Sequence, residues 1–95
     1  MSKILTADDF EPLVGKHFSV VGLPEILELV SVERHRASGV GGRAPFTVFL
    51  QGPRSRQLRE GLYQITAAEC PVFELYIIPI ITPPGDRQDY QCVFN

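Results

Sequence analysis

Two cysteines, two histidines and no long apolar run set the first limits on this 95-residue chain. Cys70 and Cys92 do not accompany a secretory leader, so they read as free thiols rather than as a disulfide framework. A zinc site needs more ligands than these thiols, His17 and His35 supply at such spacings. The start, MSKILTADDF, carries one lysine and no apolar h-region, so no signal peptide is expected. The longest nearly uncharged stretch, residues 72–81, is too short to span a membrane as a helix and is interrupted by Glu74 and Pro79. The expectation is one domain over residues 1–95, cytoplasmic, with no cofactor, no metal and no membrane partner. No internal repeat or linker divides it.

What is present is unevenly placed. The formal net charge is only −2. Residues 34–59, however, hold six arginines and no acid, while the segments on either side are each net negative by four. A basic centre between acidic ends can complement itself, within one chain or between chains. The apolar fraction, 44%, is that of a globular protein and argues against disorder.

The local pattern is that of β-structure. Thr6 followed by Asp8 and Asp9 suits a helix start. Pro12 should push Glu11 out of the α region and limit the helix to one turn before Gly15. Strands are then expected at 17–21, 26–34, 46–51, 62–66, 72–80 and 88–95. In the second, Leu27 and Leu29 share one face but Val30 and Val32 the other, which predicts a β-bulge near Leu29 and Val30. Phe46, Val48 and Leu50 alternate with Thr47, Phe49 and Gln51. Pro79 lacks an amide hydrogen, so its end of the strand should lie at an edge or bulge. The predicted interior is Phe46, Val48, Leu50, Phe73, Leu75, Ile77, Tyr90, Cys92 and Phe94. Six short strands and one helical turn predict a small all-β protein, a six-stranded antiparallel barrel or tight sandwich.

No local motif of catalysis is found. His17 and His35 have no neighbouring nucleophile and acid, and read as a core or rim residue and a solvated strand end. The glycines at 39, 41 and 42 lead into a strand, not the helix that a phosphate loop requires. Arg54, Arg56 and Arg59 share one loop and are candidates for anion binding. Arg34, Arg36 and Arg43 flank another loop, which an up-and-down order would put at the opposite end of the barrel. With no interleaved aromatics for stacking, nucleic acid is disfavoured.

The segments TADDFEPLVGKHFSV at 6–20, PFTVFLQGP at 45–53, LREGLYQIT at 58–66, FELYIIPI at 73–80 and YQCVFN at 90–95 carry a wider resemblance. The chain resembles a group of small, uncharacterised bacterial proteins associated with genes beside phage-like tail-collar proteins. The resemblance spans nearly the whole chain and implies no catalytic residues.

Two readings of function follow. The first is a non-catalytic structural or adaptor module acting through protein contacts, as a homo-oligomer or with a partner, in a phage-tail-like assembly or its biogenesis. Residues 72–80 are apolar on both faces, so a face with Phe49, Tyr76, Ile78 and Ile80 should dock, with Phe10, Leu13 and Val14 covering part of it. The alternative is a barrel that binds a small anionic ligand, or an enzyme with a non-local site around His17 and His35.

Overall fold

The computed structural model describes residues 5–36, 45–68 and 70–94. The glycine-rich loop expected around 38–42, Arg43 and the final Asn95 lie outside them. Helix α1 (Ala7–Phe10) opens the fold and runs into a 3₁₀ turn, Glu11–Leu13. Six strands follow: β1 (His17–Val20), β2 (Ile26–Arg34), β3 (Phe46–Pro53), β4 (Gly61–Thr66), β5 (Phe73–Pro79) and β6 (Arg87–Phe94). A second 3₁₀ turn, Arg54–Arg56, follows β3.

At the start, the Asp9 carboxylate accepts hydrogen bonds from the Thr6 amide and hydroxyl, at 2.8 and 3.2 Å. This ties the first turn to its cap. The effect expected of Pro12 is corrected: Glu11 stays in the right-handed region, φ −55° and ψ −42°. The proline falls in the first residues of the 3₁₀ turn, where a missing amide hydrogen costs little. The chain leaves the helical path at Val14, ψ 130°.

The strands form a closed antiparallel barrel in the order β1-β2-β3-β6-β5-β4. This is not the up-and-down order. β3 neighbours β2 and β6, so the connection from β3 to β4 must cross one end of the barrel. The 54–60 loop makes that crossing, and the amide of Leu58 donates to the Tyr90 hydroxyl at 2.9 Å beneath it. Leu58, in a segment read from sequence as a charged crossing loop, is thereby drawn into the core at 5% exposure.

The bulge is where the pattern put it. The pairing of β2 with β3 slips between Leu29 and Ser31. Leu29 sits opposite Leu50 and Val32 opposite Val48, so both point inward, and Val30 is turned out to solvent. One extra residue thus reconciles two alternating runs of opposite phase. Eight of the nine predicted interior residues are buried, and Phe94 packs half-buried against them. Phe10, Phe18, Leu27, Leu29 and Ile65 complete the core. Both thiols are free, Cys92 inside and Cys70 half-buried in the corner before β5. Pro79 ends β5 opposite Tyr90, beyond the first residue of β4, Gly61, which pairs with Ile77.

Gly52 occupies an inward position of β3 because there is no room there for a side chain. A Cβ on it would lie 2.6 Å from Cδ2 of the fully buried Leu27 and 3.6 Å from the Tyr90 ring. Gly52→Val is expected to cost about 1–3 kcal/mol in urea unfolding, as overpacking does. A loss under about 0.5 kcal/mol, the range of surface substitutions, would show that Leu27 can give way.

Candidate functional site on the outer barrel face

In a strand, alternate residues leave the core, so the outward set is fixed once the inward set is known. On β4 and β5, Leu62 and Tyr76 are register partners, exposed by 60% and 49%. Ile78 follows Tyr76 on the same face and is half-buried. It pairs with Gln91 of β6, which pairs in turn with Phe49 of β3. Val93 of β6, 47% exposed, lies on this side as well. The apolar band formed by Leu62, Tyr76, Ile78 and Val93 therefore crosses β4, β5 and β6, and Gln91 separates it from Phe49. The Tyr76 hydroxyl donates to Glu60 Oε2 at 2.6 Å, and that bond raises the tyrosine pKa above its ordinary value.

The helical turn does not cover this band, contrary to the sequence expectation. Phe10 instead enters the end of the barrel, its ring centroid 5.0 Å from Phe73, 5.6 Å from Phe94 and 5.9 Å from Phe46. The turn is anchored on its outer side by Arg34 at the end of β2, which pairs with Asp8 and Glu11. The hydrogen bond from Arg34 holds the Glu11 carboxyl below its usual pKa. Leu13 packs partly on the core, and Val14 is exposed.

Phe49 and Ile80 belong to a neighbouring feature. Where β2 bulges, Val30, Ser31, Phe49, Gln51, Ile80 and Asp89 line a notch of about 200 Å³. Sequence reasoning found Phe49 and Ile80 through their apolar alternation. It missed Val30 as a wall and Asp89 as the acid, because only the strand order brings β2, β3 and β6 together there.

The arginines of the crossing loop divide. Arg54 Nη2 donates to the carbonyls of Thr82 and Pro83, at 3.2 and 3.1 Å, and its amide donates to Asp86. It is spent on holding the proline-rich turn. Arg56 and Arg59 are exposed. Of the three candidates for anion binding, Arg54 is therefore engaged, and Arg56 and Arg59 have no ion-pair partner among the described residues.

The histidines are not brought together. His17, in β1, pairs with Glu28 near the start of β2, whereas His35 follows the far end of that strand. His17 is exposed at the rim of a groove of about 400 Å³ with Glu28, Gln51, Asp86 and Arg87. Arg87 is held there by Gln51 at 2.8 Å and Glu28 at 3.6 Å. Among the described residues, no Ser, Thr or Cys lines the groove to act as a nucleophile. His35 Nε2 shares a hydrogen bond with the Thr47 hydroxyl at 2.8 Å, and Glu33 stands 3.8 Å from Nδ1. This resembles an acid–imidazole–hydroxyl relay. Thr47, however, is only 5% exposed, and 3.8 Å is beyond hydrogen-bond range. The contact pins the start of β3 to the end of β2.

Among the described residues, no three His, Cys, Asp or Glu side chains could hold a metal ion, and no helix is long and apolar enough to cross a membrane.

These features define a small, closed, six-stranded antiparallel barrel with an apolar outer band. The chain belongs to the family described as Domain of unknown function (DUF6916), whose model matches residues 5–94. No curated protein and no solved structure matches it.

Proposed function

We propose that this protein is a non-catalytic assembly module that docks to a second copy of itself through the outer face of β4 and β5. The observation that carries this reading is the exposed register pair Leu62 and Tyr76, continued by Ile78 and by Val93. Burying such a band contributes on the order of 25 cal/mol per Å² removed from water.

Charge favours a second copy as the occupant. Arg56 and Arg59 precede β4, Glu74 lies near the other end of the same hairpin, and all three are exposed with no ion-pair partner among the described residues. Two hairpins stacked antiparallel about a two-fold axis would set the arginines of each over the Glu74 end of the other. Such rim complementarity fixes register and speeds encounter. The sequence resemblance adds a bacterial phage-tail-like assembly, formed in the cytoplasm, as the setting.

Light scattering over a concentration series tests the reading, with wild type beside Leu62→Asp and Ile78→Asp. The expected result is a wild-type mass that rises toward the dimer, and variants that melt normally but stay monomeric. A wild type still monomeric at about 1 mM, where association would be weaker than about 4 kcal/mol, overturns it.

A further inference from the structure

The notch beside the β2 bulge combines features that the docking band lacks. Its walls are apolar: Val30, turned outward by the bulge, the half-buried ring of Phe49, and Ile80. Ser31 and Gln51 add polar edges, and its charged group is Asp89, opposite Gln51 in the β3–β6 ladder. Oδ1 of Asp89 is buried and accepts no hydrogen bond. No cation among the described residues pairs with this carboxylate. Gln51 turns its Oε1 to Arg87, from which it accepts at 2.8 Å, and its amide nitrogen makes no hydrogen bond to Asp89 Oδ1. A carboxylate without a donor costs more than one that is paired, and a strong donor is the compensation it lacks.

The shape and the charge specify the same visitor. An arginine has an aliphatic stem that packs along apolar walls, a planar head that stacks on an aromatic ring, and a fork of donors for a carboxylate. About 200 Å³ is room for one such side chain. We infer that this notch receives an arginine side chain presented by a partner polypeptide, with Asp89 pairing its guanidinium and Phe49 stacking on it. The inference is independent of self-association through β4 and β5, because Leu62, Tyr76, Ile78 and Val93 are not among the residues that line the notch.

The test is a titration of the full-length protein with two capped tripeptides, acetyl-Gly-Arg-Gly-amide and its glutamine counterpart, followed by backbone amide NMR. The arginine peptide should produce saturable shifts at Val30, Ser31, Phe49 and Asp89 in the millimolar range expected of a single side chain, about 1–10 mM. The glutamine peptide should produce none. Asp89→Asn should weaken binding at least about fivefold, a change of about 1 kcal/mol. Phe49→Leu, which keeps the wall apolar but removes the stacking face, should also weaken it and serves if Asp89→Asn does not fold. Equal shifts with both peptides, no saturable shift up to about 20 mM, or unchanged affinity in both variants would overturn the inference and leave Asp89 to ordered water. Failure of Leu62→Asp to alter oligomeric state would leave this result untouched.

Discussion

Replacing Phe10 with alanine is expected to remove about 3–5 kcal/mol of stability, the range for a fully buried Phe→Ala change. That is a large part of the total for a domain of this size, typically about 5–15 kcal/mol. Phe10 is 0% exposed and lies against Phe46, Phe73 and Phe94, which come from three strands. Phe46 and Phe94 are already stacked on each other, centroids 4.5 Å apart and 6° from parallel. The neighbouring helix is too short to hold itself together, so its position depends on this one insertion and on Arg34. Alanine would leave a ring-sized void that the stacked pair cannot fill. Phe10→Leu should recover much of the loss, and Val14→Ala, at a 46% exposed site, should stay within about 0.5 kcal/mol. A Phe10→Ala loss under about 1 kcal/mol in urea unfolding would show that the turn is dispensable to the barrel.

The second large effect is alkaline. Burial pushes the Cys92 thiol up to about 12, and burial likewise raises the Tyr90 phenol. In the unfolded chain a thiol titrates near about 8.5 and a phenol near about 10. Both folded values are raised, so the unfolded state releases its protons first. The contribution of these two groups to stability is therefore constant below about pH 8.5 and falls as pH rises through the alkaline range. The cysteine's share approaches about 4 kcal/mol by about pH 12. Cys92→Ala removes that share, so its stability should decline less steeply than wild type between about pH 9 and 11, whatever the variant loses at neutral pH. Denaturant midpoints across that range measure the slope. Parallel slopes for the two proteins would show that Cys92 is not the titrating group.

The sequence made the strands legible because period two survives one bulge: Phe46, Val48 and Leu50 point inward as their alternation requires, and Val30 marks the slip itself. What sequence could not show was neighbourhood. Alternation says which face a residue takes but not which strand lies beside it. Residues 54–60 could be read as a charged crossing loop, but not the strand order it serves, the burial of Leu58 or the meeting of Val30, Phe49 and Asp89 in one notch. Phe10 was expected to cover part of the outer face, and its place inside depends on an opening at the barrel end that no local pattern encodes. For the same reason His17 and His35 could be imagined in one site until β2 separated them.

The barrel is closed, but not evenly. Among the described residues, β4 pairs with β1 at Ser19–Thr66 and Val20–Ile65, extended by Val21 N–H donating to the Gln64 carbonyl. Likewise β5 pairs with β6 at Ile78–Gln91 and Pro79–Tyr90, extended by Ile80 N–H donating to the Asp89 carbonyl. Between those joints, β4 and β5 are laced to each other from Gly61–Ile77 to Ile65–Phe73. The hairpin is thus a stave held by short fastenings on both sides, in a cask whose other four staves are bound along longer ladders. Partial opening takes the path that breaks the fewest rungs. Here that path lifts the hairpin bearing Leu62 and Tyr76 away from the rest and uncovers the inner faces of Phe73, Leu75 and Ile77. A second copy clasping Leu62 and Tyr76 would act as a hoop around this stave, making barrel integrity depend on protein concentration.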